Sequence, residues 1–296
     1  MKPADILIAI LVAIIWGLAF VASRIALDEL SPELMTALRF TIAAVPCLFI
    51  PKPKVAWSLL IAISFTLFLG QFLSQAYGIA HGVPVGLTSV VVQSQALFTI
   101  GFAAVAFGER PTPMQALGTG IAAIGLLMIC GTVGYDFSAA AFAVLMISPV
   151  SFAVGNLLLR GARGVPMFDL FAWLCLASAI PLFALALIAN GPASTWTSLT
   201  HISLTSALCM LALGGVSTSI AYWLWGRLLR DHPAAQVVPF ALLVPFVGSA
   251  ASSVVFGERF GPLRLAGMLT VIGGIAVMVL AKRPKALPEE PLPKVA

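Results

Sequence analysis

The chain has 296 residues, 60% hydrophobic and 9% charged, with a formal net charge of +5 and a mean hydropathy of +1.07. An ordinary soluble domain carries roughly 25% charged residues, so this chain lacks the polar side chains to cover a water-facing surface. Composition thus excludes a soluble enzyme, a nucleic-acid binder and a single-span receptor with a large ectodomain.

Ten apolar runs follow in chain order, at 6–23, 33–50, 55–77, 84–107, 114–131, 137–159, 166–189, 202–226, 234–256 and 263–281. Each is close to the roughly 20 residues that a helix needs to cross a bilayer. Loop chemistry separates them, as in Pro51-Lys52-Pro53-Lys54, Arg110-Pro111-Thr112-Pro113, Asn190-Gly191-Pro192 and Asp231-His232-Pro233. Lipid offers the backbone no hydrogen-bond partner, so every run is expected to be helical. The first run follows Lys2 and is as long as a full span, so it reads as a membrane helix rather than a removable leader.

Polar residues at bilayer depth need a reason. In the first run Trp16 lies deeper than the interfacial belt, as a pocket wall or a packing residue. In the second, Arg39 lies about 9 Å from Glu33. It can snorkel outwards, or pair with a substrate carboxylate, or with Glu33 or Glu29 at an outer gate. Gln71 and Gln75 stack four apart on one face of the third run, with Ser64 and Phe68. Gln93 and Gln95 lie roughly 14–17 Å beyond Pro84, near the midplane; two residues apart in an α-helix is about 200°, so they should face different sides. A substrate contact and helix–helix hydrogen bonding are both open to them.

In the sixth run Pro149, between Ser148 and Ser151, removes a backbone hydrogen bond and frees the Leu145 carbonyl, for substrate or as a plain kink. Asn156 is expected near the inner mouth. Ser217 belongs to a run of three hydroxyls in the eighth span, whose Tyr222, Trp223 and Trp225 fit an interfacial aromatic belt. Pro239 and Pro245 should kink the ninth. Cys47, Cys130, Cys175 and Cys209 sit in apolar runs without ligand spacing, so neither metal nor cofactor is expected. Every Asp and Glu falls at a span end, in a loop or in the tail. Without a midplane carboxylate, cationic drugs are disfavoured and neutral or zwitterionic solutes fit better.

Alternate sides of the ten runs hold twelve and three Lys and Arg residues, the twelve on the side of both termini. This places both termini in the cytoplasm. Phe107-Gly108-Glu109-Arg110, with Pro113 and Gly118, recurs as Phe256-Gly257-Glu258-Arg259, with Pro262 and Gly267, at a constant offset of 149 residues. Pro84 and Pro233 share that offset. Each half then holds five spans, an odd number, so the second copy enters the membrane inverted. The expected fold is an all-α integral membrane protein of ten transmembrane helices in two inverted five-helix repeats, 1–133 and 134–281, with a disordered cytoplasmic tail at 282–296.

The chain resembles the EamA branch of the drug/metabolite transporter superfamily over essentially its whole length. The resemblance rests on Trp16-Gly17, Leu38-Arg39-Phe40, Gly86-Leu87, Gln93 and Gln95, the Phe107–Arg110 motif, Gly155-Asn156, Trp225-Gly226, Leu242-Leu243-Val244-Pro245 and Glu258-Arg259. It implies a multi-pass protein of the bacterial inner membrane that exports amino acids or cysteine-pathway metabolites by alternating access. The partners implied are the lipid bilayer and a small amino-acid substrate, with no nucleic acid and no obligate protein partner. Small multidrug relatives use a glutamate in the first helix where this chain has Ile14, Ile15 and Trp16, a departure from drug–proton exchange. The cavity set expected is Trp16, Gln71, Gln75, Gln93, Gln95, Ser148, Ser151, Asn156 and Ser217. Transport of nucleosides, sugars or drugs on the same fold is the alternative. An intramembrane enzyme is remote, since the chain has no HExxH, no GxSxG and no midplane Asp pair.

Overall fold

A computed structural model describes residues 1–134 and 136–280, and the predicted tail at 282–296 lies outside them. The regular structure of the described residues is helical, without strands. Ten segments carry it: α1 Pro3–Ala26, α2 Pro32–Ala43, α3 Trp57–Ala80, α4 Val85–Phe107, α5 Pro113–Cys130, α6 Ala139–Ala162, α7 Met167–Asn190, α8 Leu204–Asp231, α9 Val238–Phe256 and α10 Pro262–Leu280. A nine-residue helix, Pro192–Thr200, sits in the α7–α8 connection. Nine of the described helices, all but α2, are long and apolar enough to cross a membrane. With Leu7, Val105, Ile188 and Val254 each more than 60% exposed, the bundle presents an apolar exterior, as a multi-pass membrane protein must.

The second run departs from expectation. It gives a 12-residue helix that stops at Ala43 and a 3-10 turn over Val45–Leu48. Pro46 is the cause: it has no N–H for an α-helical bond to Ile42, and its ring disfavours helical backbone before it. Helix and turn together rise about 26 Å, so composition was read as one span where the backbone makes two pieces.

Local signals set the ends. Ser31, Thr112, Ser138 and Ser203 cap helices by accepting a backbone N–H three residues on. After α4 and α9 the chain turns out through Gly108 (φ 65°) and Gly257 (φ 67°); these left-handed caps suit glycine.

The end of the bundle where α1 starts is called proximal here, and the other distal. Helices α5 and α10 cross antiparallel on a seam of glycines. A Cβ on Gly118 would come within 2.6 Å of the Gly274 carbonyl oxygen, and one on Gly125 within 2.7 Å of that of Gly267. Backbones this close gain dispersion contacts that lipid cannot replace. Because α5 and α10 run in opposite directions, Glu109 and Glu258, each just before one of them, lie at opposite ends of the bundle. We expect Gly274→Val to push the helices apart, at a cost of about 1–3 kcal/mol for overpacking, and to lower the melting temperature in detergent. An unchanged midpoint would contradict the seam.

Two helix pairs share irregularities. Helices α3 and α8 widen to π-helix over Ser64–Gly70 and Ala212–Ile220. Helices α4 and α9 tighten to 3-10 turns over Val92–Ser94 and Val238–Leu242. A π-turn leaves backbone acceptors for neighbours: Ser151 Oγ donates to the Thr66 carbonyl (2.8 Å), and Thr218 Oγ1 and Ser219 Oγ each reach back five residues, to Leu213 and Gly214.

Candidate functional site

A cavity of about 510 Å³ lies among the helices. Its walls come from the middle of α1, α2, α3 and α4 and from the proximal halves of α6, α7, α8 and α10, with the 3-10 start of α9. Met167 and Leu229 lie within a turn or so of the proximal helix ends, so the cavity reaches towards that end.

Seven of the nine expected cavity residues meet there: Trp16, Gln71, Gln75, Gln93, Gln95, Asn156 and Ser217. Gln71 and Gln75 share the face of α3 that their spacing predicted. Gln93 and Gln95 both border the cavity, correcting the expectation that they face different sides. The intervening turn is 3-10, not α-helical, which changes the phase between them, and both side chains are long. Gln93 Nε2 also donates to the Ala241 carbonyl (3.3 Å).

Ser148 and Ser151 are not on the cavity wall. Ser151 fastens α6 to the π-turn of α3, where a Cβ on Gly70 would collide with it. Ser148 is fully buried. Pro149 lies inside α6, and the Leu145 side chain one turn before it packs against Gly78 of α3. Pro239 falls in the 3-10 turn of α9, beside cavity residues Val238 and Ala241, and Pro245 is buried, its carbonyl accepting from Ser89 Oγ (3.4 Å).

Arg39 and Glu33 do not pair. Six positions apart on a helix is about 240°, so they leave on different sides. Glu33 lies 3.5 Å from Asn190 Nδ2. Glu29 accepts from the Ser203 amide (2.9 Å) and hydroxyl (2.6 Å). Arg39 is 4% exposed and lines the cavity. It does not snorkel outwards.

Phe171, Tyr222 and Trp225, which the expected cavity set left out, form one wall with Trp16. Trp16 lies 5.3 Å from Tyr222 and 5.1 Å from Trp225, and Phe171 lies 5.2 Å from Tyr222 and 5.6 Å from Phe68, between ring centroids. Trp16 Nε1 donates to the Ser217 carbonyl (3.1 Å). Of the three aromatic residues read as an interfacial belt, only Trp223 is exposed, at 49%. The i, i+3 spacing of Tyr222 and Trp225 was the available signal, since it puts them on one helix face.

Polar contacts clasp the distal end. Glu258 accepts from the amides of Val85 (2.6 Å) and Gly86 (3.0 Å) at the start of α4, a carboxylate on a helix N-terminus. Beside it, a Cβ on Gly86 would press on Phe260, Ser249 and Ser252. Arg264 holds Asp136 with two nitrogens, and Asn190 Nδ2 donates to Ser31 Oγ (3.0 Å). At the proximal end Glu109 is bound by both terminal nitrogens of Arg160 (2.5 and 3.2 Å), and His232 meets Asp5 (2.9 Å).

The Asp136 carboxyl is held below its ordinary value by the Arg264 hydrogen bonds, and that of Glu29 by the Ser203 donors. A carboxylate with a lowered value contributes its clasp above the unfolded value and loses it only as pH falls through the lowered one. The rate of thiol labelling at a distal cysteine, divided by that of the same cysteine in the denatured protein to remove the thiolate's own pH dependence, should therefore stay flat between about pH 5.5 and 8, well above the ordinary carboxyl range. A rise within that window would contradict the assignment.

The chain belongs to the EamA-like transporter family, whose model matches it twice, at residues 4–131 and 139–280. It is 32% identical over 290 residues to proteins of Salmonella typhimurium and Escherichia coli, each named a probable amino-acid metabolite efflux pump; the match covers 96% of this chain and 97% of each relative. A probable terminal-alkyne amino-acid exporter of Streptantibioticus cattleyicolor is 26% identical, over 91% of both chains. A crystal structure 19% identical to the chain superposes with a TM-score of 0.61, covering 94% of this chain and 96% of that one, and shares the fold.

Proposed function

We propose that the chain exports amino acids or amino-acid-derived metabolites across the bacterial inner membrane, without covalent chemistry. The observation that carries this reading is the cavity: four glutamines, an asparagine, one buried arginine and an aromatic wall, with no carboxylate on its described lining. Amides offer both donors and acceptors to a zwitterion, while Trp16, Tyr222 and Trp225 suit its side chain. The names of the bacterial relatives agree.

The proposed transport cycle is alternating access between two inverted five-helix halves, 1–133 and 134–281, with ten crossings and both termini cytoplasmic. Support comes from residues 149 apart. Gly118 and Gly125 of α5 meet Gly274 and Gly267 of α10, and these four glycines are two pairs at that offset. The two matched family segments, the paired π-turns and the paired 3-10 turns fit the same pseudo-two-fold axis. With eight of the eleven basic residues at the described span ends and loops on the proximal side, that side is cytoplasmic in this reading. The cavity then reaches inwards while the outer end is closed.

Proteoliposomes loaded with labelled threonine, methionine or phenylalanine test the reading. Protein-dependent flux of at least one is expected, and no flux of any amino acid would end it.

A further inference from the structure

The cavity is one-sided in charge. Arg39 is the only charged residue on its described lining. Its Nε donates to Thr218 Oγ1 (2.9 Å) and its Nη2 to Ser217 Oγ (3.3 Å), while the Phe72 ring covers one face of the guanidinium at 4.3 Å. Thr218 Oγ1 in turn donates to the Leu213 carbonyl (2.8 Å), so the π-turn of α8 fixes the group's orientation. These contacts orient the cation but bring no negative charge. Arginine has five N–H donors, and two are used; no carboxylate among the described residues lies within ion-pair distance. A buried cation at membrane depth without a counter-charge is costly. The cavity is where a counter-charge can enter.

We infer that Arg39 is the anchor for a carboxylate on the transported molecule, received on the remaining N–H groups of Nη1 and Nη2. Planar two-point capture of this kind is what a guanidinium does and an ammonium does not. The second half of the recognition is weaker. Gln71 and Gln95 line the cavity, and their Oε1 atoms are closed off from its open space with no hydrogen-bond partner among the described residues; a turn of either side-chain amide presents an acceptor to the N–H groups of a substrate amine. Because these acceptors are neutral amides and the anchor is a full charge, the carboxylate is the obligatory feature and the amine an optional one. Ser217 is then a positioning residue that holds the arginine.

This deepens the export reading and borrows from it only the choice of probes. Full-length protein in detergent is titrated with phenylalanine, 3-phenylpropanoate, phenylalaninamide and phenethylamine, followed by tryptophan fluorescence and thermal shift. Both carboxylates should bind at least about tenfold more tightly than the amide and the amine, the scale of a charge-assisted pair. Arg39→Gln should erase that preference, and Arg39→Lys should restore it only in part. If Arg39→Gln does not fold, the wild-type panel decides alone. Equal binding of acid and amide, no binding of either carboxylate, or an Arg39→Gln protein that still discriminates would each overturn the inference. Carboxylate-selective binding without amino-acid flux in liposomes would sink the export reading and leave Arg39 standing; flux without selectivity would do the reverse.

Discussion

Glu258→Gln is expected to unlock the distal end and to slow transport by about tenfold or more. The Glu258 carboxylate takes two amide protons at the first turn of α4, where the helix dipole adds to the attraction. A neutral amide oxygen accepts more weakly, and the NH2 group that replaces the other oxygen meets a backbone N–H it cannot satisfy. The loss should be about 1.5–3 kcal/mol, the range for hydrogen bonds to a charged group, which moves a two-state balance by roughly ten- to a hundred-and-fifty-fold. Ser249→Cys, which reports on the α4–α9 contact, should then label faster with an impermeant thiol reagent. Glu109, the counterpart 149 residues earlier, is held by Arg160. In the opposite state it is expected to leave Arg160 for the start of α9, so Arg160→Gln should favour that state and raise distal labelling as well. Unchanged labelling in both variants would remove the clasps from the mechanism.

The second large effect is expected at Trp16. Its indole makes two ring contacts, each worth about 0.5–1.5 kcal/mol beyond buried area, and a hydrogen bond to the Ser217 carbonyl worth about 1 kcal/mol. Trp16→Ala removes all three, roughly 2–4 kcal/mol divided between stability and binding. The half-saturation concentration for phenylalanine should rise about tenfold or more. Trp16→Phe keeps a ring and should recover most of that. If alanine and phenylalanine variants behave alike, the wall is not a substrate surface.

How much of this was legible beforehand follows the periodicity of each segment. Gln71 and Gln75 were found because four residues is one turn, and the start of α4 because Pro84 marks it. Gln93 and Gln95 share the cavity against their α-helical spacing because the phase shifts through Val92–Ser94, where the backbone tightens. Composition also concealed the break at Pro46, since an apolar run reads alike whether or not its backbone is continuous. Tyr222 and Trp225 look like interfacial residues from their distance to the loop; only the tertiary contact with Trp16 turns them inwards. Ser151 is off the wall for the converse reason: a hydroxyl at span depth serves a neighbouring backbone as readily as a substrate, while Ser148 is buried with no hydrogen-bond partner for its hydroxyl among the described residues. The surroundings of Arg39 come from α3 and α8, more than 30 and 170 residues away, and no local pattern announces them.

The two-fold relation between the halves is tested most directly by the sidedness of the loops that precede α5 and α10. In a protein with Cys47, Cys130, Cys175 and Cys209 replaced by alanine, Arg110→Cys and Arg259→Cys are each exposed to an impermeant maleimide on intact cells. The inverted arrangement predicts that Arg259→Cys reacts from outside and Arg110→Cys only after the membrane is opened. Reaction of both from the same side would contradict it.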